Sequence, residues 1–495
     1  MKSAIALIIL ATATSAPGPA ASSPLGAAPR AFSFHHDGIL GTSVDLTFVT
    51  ASPAAAARAE RIALAEIERL RRVLSSWDST SEVSQLFAHG KLDHPSPELV
   101  SVLNQYSTWS ERSGHAYAAR VSELTLLWQQ GAARDTTPDP AMLARTVAAI
   151  ASPAWAIDPV SGRITALTSH RVDLNSLGKG FIIDRVLGAV RDSIPALRGA
   201  LIDVGGDIHV WGTPVAGTAW RIAVANPRDH ADNAVPLARL ALRDRAVSSS
   251  GDYERGFTIG GRHYSHILDP RTGYPVDHVI GVTVIARDNA TANALATTLS
   301  VLAPQDGMRL VRSVPGADAL LVTDDGGSME TAGFAAYEET MPVHTAPMAA
   351  TFTATLNIDV TPTERSRHPP YVAVWITDTA GHQVRTLAFW GDKPKYQHEM
   401  SRWWAINHAD TELIDAVTRA TRPAGKYTLE WDGLDQKGAA VAPGPYLYWL
   451  EVAFEDGPHS AKNVTLACGT AHAAGTIPAA SAFAGAEISC DPVKH

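Results

Sequence analysis

The stretch SHILDPRTGYP, residues 265–275, is the most informative segment of the chain. It places His266 directly before an Asp-Pro step and a Thr-Gly step. Proline fixes its own φ and glycine accepts a positive φ, so residues 269–273 predict a rigid turn with Arg271 at its edge. A plain hairpin needs neither the histidine nor the arginine. We therefore interpret the segment as a loop that presents an imidazole able to act as an acid, a base or a phosphate donor near neutral pH.

The preceding segment AVSSSGDYERGF, residues 246–257, supplies hydroxyl and backbone donors at Ser250 and Gly251. His263 and His266 could form a metal-binding pair, but no third ligand follows at a useful spacing. A histidine-based metal site is therefore not expected.

Length, composition and the first residues indicate an exported protein of two or more domains. The chain has 495 residues, of which 45% are hydrophobic, and a net charge of -9 that excludes a general nucleic-acid binder. Lys2, an apolar run and small residues predict a signal peptide over residues 1–22. No apolar run is long enough to predict a transmembrane segment. After export, Cys468 and Cys490 are candidates for one disulfide, with two free thiols as the alternative.

Hydrophobic periodicity divides the remainder into an α+β part and an all-β part. Helical and strand patterns interleave over residues 30–340 without a strict βαβ rhythm. Residues 341–351 contain two prolines and predict a linker. Short β runs separated by turn residues predict a β-sandwich over residues 352–460. The Ala/Gly-rich residues 461–495 are expected to be a loosely ordered, low-complexity tail.

Two glycine motifs suit an anionic ligand. In VDLNSLGKGFIIDRVLGAV, residues 172–190, Lys179 lies between two glycines where a helix is predicted to begin, so free N–H groups and a positive charge coincide. A solvated lysine at an ordinary helix start is the alternative. In LIDVGGDIHVWG, residues 201–212, a buried strand leads into paired glycines, which suit either close contact with a ligand or a β-bulge. Neither a GxGxxG fingerprint nor a P-loop is present, so a Rossmann cofactor site is not expected.

A third motif offers oxygen ligands. In NATANALATTL, residues 289–299, Asn293 and Thr297 are four residues apart and share one face of a predicted helix. Both side chains can offer oxygen to a hard cation such as Mg²⁺. An ordinary polar helix face explains the same residues.

In combination, these segments resemble the ApbE family, flavin transferases that move FMN from FAD onto a protein threonine. The run SGDYER…HILDPRTGYP is the most specific match, and the resemblance covers nearly all of residues 30–340. The other matching pieces are Leu40-Gly41-Thr42, LSSWDSTSEVSQL (residues 74–86), Ser113-Gly114, VDLNSLGKG, DVGGDIHVWG and ANALATT.

The resemblance implies an ApbE-like fold and FAD as the ligand. It also implies which residues form the site. His266 and Lys179 are expected to be catalytic, near the reacting phosphate. The resemblance places FAD against Leu40, Thr42, Trp77, Lys179, Gly205, Gly206, Asp207, Ser250, Asp252, His266 and Arg271. It implies a magnesium ion on the carbonyl of Gly178 and the side chains of Asn293 and Thr297.

The sequence departs from the family pattern in three places. Asn293 replaces the usual metal-binding aspartate, Tyr117-Ala118 replaces Phe-Asp, and Asn175-Ser176-Leu177-Gly178 replaces a stretch of small residues and two glycines. The first departure removes a negative charge from the ion. We therefore expect weaker Mg²⁺ binding and lower turnover.

The second domain resembles a poorly characterised group of periplasmic β domains, through YVAVWITD and YTLEWDG. Its DAVTRAT segment, residues 415–421, is similar to the Asp-x-x-Thr-Gly-Ala-Thr acceptor of these transferases, except that Arg419 replaces glycine. Thr421 would then be the modified hydroxyl, although a chance match in a loop is the favoured alternative. The sequence thus predicts a periplasmic FAD:protein FMN transferase acting on an exported protein. An FAD-binding module without turnover and an FAD pyrophosphatase are the alternatives.

Overall fold

The computed structural model describes residues 9–10, 28–170, 172–214, 217–229, 231–251, 256–339, 350–361, 369–391, 397–409, 418–419, 422, 424–454 and 457–493. The chain forms two compact units. Unit one is built mainly on Ala13–Arg228 and Arg239–Glu339, and unit two on Asp229–Ala238 and Thr340–His495. Within the described residues, no helix combines the length and the apolar character that crossing a membrane requires.

Three helices of unit one begin directly after serine N-caps. The Ser52, Ser81 and Ser96 side chains each accept a hydrogen bond from a first-turn N–H group of the following helix. The helices are α1 (Pro53–Leu74), α2 (Glu82–His89), α3 (Pro97–Arg112), α4 (Ser122–Ala133), α5 (Pro140–Ile150), α6 (Asn175–Ser193), α7 (Asn289–Val301) and α8 (Pro304–Arg312).

An eight-stranded antiparallel sheet forms the frame of unit one. The strands up to residue 330 are β1 (Ile9–Leu10), β2 (Arg30–Ile39), β3 (Thr42–Thr50), β4 (Lys91–Leu92), β5 (Trp155–Ile157), β6 (Ile164–Ala166), β7 (Gly199–Val204), β8 (Asp207–Gly212), β9 (Trp220–Val224), β10 (Ala238–Leu242), β11 (Arg245–Gly251), β12 (Gly256–Ile259), β13 (Arg262–Ser265), β14 (Val279–Ala286), β15 (Asp318–Thr323) and β16 (Ser328–Glu330). The main sheet has the order β16-β15-β14-β11-β8-β7-β3-β2.

Helices α1, α6 and α7 bury their apolar faces in the same core as the main sheet. That core contains Val44, Leu46 and Phe48 of β3 together with Val186 of α6 and Leu295 of α7. Alternate residues of β3, β7 and β14 reach it, as the period of two requires. The α+β class expected for this part of the chain is confirmed.

Unit two is a β-sandwich, as the short β runs predicted. Its strands are β17 (Phe352–Val360), β18 (Tyr371–Thr377), β19 (Gln383–Trp390), β20 (Thr418–Arg419), β21 (Gly425–Trp431), β22 (Gly444–Ala453), β23 (His459–Cys468), β24 (Ala473–Ile477) and β25 (Gly485–Pro492), and a short helix, α9, spans Ser401–Asn407. One sheet has the order β21-β17-β25-β24 and the other β20-β19-β18-β22-β23. Inward-facing residues such as Leu356, Val374 and Leu450 form the core.

The expected loosely ordered tail, residues 461–495, is instead part of the sandwich. Most of β23 and all of β24 and β25 lie in it, and β25 pairs with both β17 and β24. The buried residues of β25 alternate along the strand, but two of them, Ala486 and Cys490, are small. The Ala-rich composition therefore did not indicate a strand with one buried face. The linker predicted at 341–351 falls outside the described residues except at 350–351. The predicted signal peptide falls outside them except at Ile9–Leu10.

A disulfide joins the two sheets of unit two. Cys468 on β23 is bonded to Cys490 on β25, with 5.6 Å between their Cα atoms. Tyr448 packs against the bridge, with its hydroxyl 2.9 Å from the sulfur of Cys468. The bridge closes a loop across a separation of 22 residues, and a loop of this size removes enough chain entropy from the unfolded state to contribute about 3 kcal/mol.

We expect the Cys468→Ala/Cys490→Ala double variant to lower the free energy of unfolding of unit two by about 3 kcal/mol, since the loop is no longer closed in the unfolded chain. Guanidinium unfolding followed by tryptophan fluorescence measures this loss. Wild-type protein treated with dithiothreitol should unfold at the midpoint of the double variant. Equal midpoints for oxidised and reduced wild type would contradict a stabilising bridge.

Candidate functional site

Two tight turns at one end of the main sheet bring predicted FAD-binding residues together. Leu40 and Gly41 connect β2 to β3, and Gly205 and Gly206 connect β7 to β8. All four residues have positive φ angles, from 53° to 90°, as two-residue hairpins require. Because β3 and β7 are antiparallel neighbours, both turns lie at the same end of the sheet. The glycine pair is thus a hairpin turn and not a β-bulge.

Thr42 packs directly against the second turn. A Cβ atom on Gly205 would lie 2.4 Å from Thr42 Oγ1, so the contact requires glycine. The Thr42 hydroxyl is buried and has no hydrogen-bond partner among the described residues. Because a buried polar atom without a partner is unfavourable, this hydroxyl is a group that a ligand would satisfy.

Lys179 and Asp207 form an ion pair beside this turn. Lys179 Nζ lies 2.6 Å from Asp207 Oδ2, and the two side chains are 29% and 6% exposed. Asp207 is the first residue of β8, and α6 begins at Asn175, four residues before Lys179. The prediction that the helix begins at Lys179 is therefore wrong, and Gly178 N already donates to Leu174 O at 2.6 Å. The predicted anion-binding lysine therefore has a carboxylate partner that a bound phosphate would have to share.

A buried carboxyl that the sequence analysis did not single out lies under the same turn. Asp203 Oδ1 accepts a hydrogen bond of 2.8 Å from Gly206 N. Burial, and next the charge of Asp45 opposite it on β3, raise the pKa of Asp203 to about 8. Asp45 is hydrogen-bonded to His35 at 2.7 Å, and this bond raises the pKa of His35 to about 9. A charged residue within the apolar run LIDV was the available sequence signal.

Buried hydroxyl groups fix the start of α6. Ser176 Oγ lies 2.7 Å from Tyr106 Oη and donates to Tyr117 Oη at 2.9 Å. The rings of the two tyrosines stack with their centroids 4.9 Å apart. Tyr117 and Ser176 are both departures from the family pattern, and the structure pairs them. Since no side chain caps this helix, the hydroxyl cluster holds its first turn.

The predicted metal ligands lie on α6 and α7. Asn293 is 6% exposed, and its side chain forms no hydrogen bond with the described residues. Thr297 is half-buried one helical turn later, while Gly178 is buried near the start of α6. No group of three or more His, Cys, Asp or Glu side chains in the described part of the chain could hold a metal. The candidate ligands are thus neutral oxygen atoms.

The SHILDPRTGYP segment forms the turn that the sequence predicted. Asp269 O accepts a hydrogen bond of 2.7 Å from Gly273 N, and Trp128 Nε1 donates to Gly273 O at 2.9 Å. Arg271 pairs with the Asp269 carboxylate at 2.7 Å. The arginine thus stabilises its own loop in this structure, while His266 is half-buried just before it.

The remaining predicted ligand residues are distributed more widely. Ser250 is half-buried near the end of β11. Trp77 follows α1 and is 69% exposed. Asp252 lies outside the described residues. The neighbouring Ser248 points into the protein, where its hydroxyl donates to Asn289 Oδ1 at 3.4 Å.

Comparison with known proteins identifies the families that the two parts of the chain match. Residues 40–321 match the model of the ApbE family, and residues 353–484 match the model described as "Predicted periplasmic protein (DUF2271)". The FAD:protein FMN transferase of Haemophilus influenzae is 28% identical over 263 residues, which are 51% of this chain and 75% of that protein. That of Treponema pallidum is 29% identical over 251 residues, 48% of this chain and 68% of that protein.

Solved structures of ApbE proteins have a similar fold. The crystal structure of the ApbE protein of Thermotoga maritima has a TM-score of 0.55 and 27% identity, and covers 63% of this chain and 100% of its own. The apo flavinyl transferase ApbE of Pseudomonas stutzeri has a TM-score of 0.52 and 25% identity, with coverages of 62% and 97%. The family resemblance that the motifs indicate is therefore confirmed.

Two glycines of α6 provide a matched pair of variants. A Cβ on Gly180 would lie 2.6 Å from the backbone oxygen of Asn289, whereas a Cβ on Gly188 would meet nothing within 4 Å. We expect Gly180→Ala to cost about 1–3 kcal/mol, because α6 and α7 must separate. Gly188→Ala should be neutral or stabilise the protein by up to about 1 kcal/mol. Urea unfolding measures both, and equal effects would rule out the proposed backbone contact.

The raised pKa of Asp203 predicts a pH dependence of stability. The folded protein keeps a proton on Asp203 up to pH about 8, whereas the unfolded chain releases it near pH 4. Stability from this group is therefore complete below pH 4 and is lost as the pH rises towards 8. Between pH 5 and pH 8, the melting temperature should fall less in Asp203→Asn than in wild type. The exposed Asp192→Asn variant should behave as wild type, and parallel curves for all three proteins would refute the assignment.

Proposed function

The chain belongs to the ApbE family, and we propose that it is an FAD:protein FMN transferase. It would transfer FMN from FAD to a threonine hydroxyl of an exported protein and release AMP. The observation that carries the proposal is the meeting of Lys179 with the Gly205–Gly206 turn through the 2.6 Å bond to Asp207. Both N–H groups of the turn donate within the protein, Gly205 N to Ser43 O at 3.0 Å and Gly206 N to Asp203 Oδ1 at 2.8 Å. The arrangement therefore offers a diphosphate the positive charge of a partly exposed lysine beside a turn without side chains.

In the proposed reaction, the threonine oxygen attacks the phosphorus of the FMN half of FAD. The bond from that phosphorus to the bridging oxygen breaks, and AMP leaves with the electron pair. The threonine proton has to be accepted as the new bond forms. His266, which the SHILDPRTGYP turn holds, is the proposed group near the reacting phosphate. Lys179 would move from Asp207 towards the diphosphate and stabilise its charge.

A magnesium ion fits the residues present, although it would gain no charge from them. The Asn293 side chain on α7 is 6% exposed and carries an amide oxygen of the kind that a hard cation accepts. Gly178 O and Thr297 Oγ1 are the further ligands that the family resemblance implies. Bound there, the ion would neutralise negative charge on the phosphoryl oxygens. The neutral ligand set means that the ion would depend on the diphosphate for its anionic partners.

The neutral Asn293 also favours a second candidate, an FAD-binding module without turnover. The FAD contacts proposed at Leu40, Thr42 and the glycine turn do not depend on the metal, so binding would survive a weak ion site. Hydrolysis of FAD to FMN and AMP is the third outcome, with water in place of threonine.

The acceptor is proposed to be a periplasmic protein that carries an Asp-x-x-Thr-Gly-Ala-Thr segment. The match of residues 353–484 to a model described as periplasmic supports this location. The similar segment in this chain, residues 415–421, falls outside the described residues except for Thr418–Arg419. Thr421 as an acceptor in cis therefore stays a prediction, and an intact mass of the purified protein tests it.

Incubation of the protein with FAD, Mg²⁺ and an acceptor carrying this segment tests the function. We expect a flavin-fluorescent acceptor band after denaturing electrophoresis. Lys179→Met should reduce the initial rate at limiting FAD about tenfold or more, because a charge-assisted contact is lost. Lys91→Met is the control, since Lys91 also pairs with an aspartate, at 3.2 Å, but is 60% exposed.

The same incubation separates the alternatives. Free FMN and AMP without a labelled acceptor would indicate hydrolysis, and intact bound FAD would indicate a binding module. Asn293→Asp should raise the rate of transfer, because a carboxylate adds charge to the metal site. An unchanged rate in Asn293→Asp would contradict the proposed ion site without contradicting FAD binding.

A further inference from the structure

The carboxylate of Asp184 receives hydrogen bonds from two other elements of unit one. Asp184 lies on α6, and its Oδ1 atom is 2.7 Å from Nδ1 of His209 on β8. The same oxygen accepts from Asn289 N at 2.8 Å, and Oδ2 accepts from Ala290 N at 2.9 Å. These two N–H groups belong to the first turn of α7, where a helix has no backbone partners for them. One side chain thus ties α6, β8 and α7 together.

Each of these three elements also carries one residue of the proposed site, a few residues away from the residue that takes part in the Asp184 contacts. His209 is two residues after Asp207, so both side chains lie on the same face of β8. Asn289 is four residues before Asn293, one turn earlier on α7. Asp184 itself is five residues after Lys179 on α6. The position of Asp184 relative to its partners therefore determines how Lys179, Asp207 and Asn293 are arranged.

Further contacts restrict the same junction. The Asn289 side chain donates from Nδ2 to Ile208 O at 2.9 Å, which links α7 to β8 a second time. Gly180 lies against the Asn289 backbone, where no Cβ fits. Because α6 and α7 touch backbone to backbone here, a shift of either helix moves the other.

We propose that Asp184 is a positioning residue for the diphosphate site, an inference that rests on the proposed function. Asp184 holds the start of α7 against α6 and β8. In this position the Asn293 carboxamide and the Lys179–Asp207 pair can contact the same ligand. Asp184 does not touch the ligand itself. A carboxylate is required because its three contacts all come from donors, and an asparagine offers only one oxygen. In Asp184→Asn, the NH2 group would face a donor on α7 or on His209. Because two donors repel each other, α7 would have to move.

The test compares FAD affinity among variants of α6. FAD titrations of the full chain are made with Mg²⁺ at a temperature where every variant is folded. We expect Asp184→Asn to weaken FAD binding at least tenfold. Asp192→Asn, an exposed aspartate on the same helix, should bind FAD as the wild type does.

A second control separates positioning from stability. Val190 is fully buried in the core of α6, so Val190→Ala should lower the melting temperature and leave FAD affinity within about twofold of wild type. Wild-type affinity in Asp184→Asn would overturn the inference and leave the proposed function intact. An equal loss of affinity in Val190→Ala would also overturn it. If the wild type binds no FAD, the proposed function fails and the inference fails with it.

Discussion

The backbone contact between α6 and α7 is the constraint on which the rest of unit one depends. Gly180 allows the two helices to approach until the Asn289 carbonyl occupies the space of a side chain. This closeness puts the first N–H groups of α7 within reach of a single carboxylate, Asp184. Both helices then share one core with the main sheet. The candidate site is therefore built by packing, and its loops are attached to a frame that hardly deforms.

Several negative charges lie at the end of the main sheet where the ligand is proposed to bind. Asp45, Asp203 and Asp207 lie close together where an anionic ligand is proposed, and Lys179 and His35 are the cations that pair with them. A proton on Asp203 removes one negative charge, and the hydrogen bond from Gly206 still orients the carboxyl. Lys179 is partly exposed, so it can leave Asp207 for a phosphate at a moderate desolvation cost. The site is thus nearly neutral before the ligand arrives.

The sequence was sufficient where a motif acts locally. The Asp-Pro and Thr-Gly steps predicted the turn at residues 269–273, and the family motifs predicted the ApbE-like fold of unit one. It was insufficient where function depends on contacts between distant segments. Nothing in the sequence shows that Asp184 meets Asn289, or that Asp203 lies opposite Asp45. The prediction of a loosely ordered tail in unit two was wrong for a related reason. Alanine and glycine can form part of a core when neighbouring strands cover them, and the sequence alone does not show which strands do so.

Of the departures from the family pattern, Asn293 is the one that bears on the proposed ion site. Tyr117 and Ser176 share a hydrogen bond in the hydroxyl cluster at the start of α6, so each is accommodated by the other. Asn293 has no comparable partner among the described residues. Its oxygen remains available to an ion, but without a formal charge, and a hard cation binds neutral ligands weakly. Under the proposed function, an ion at this site would therefore arrive with the diphosphate, and metal binding would follow FAD binding.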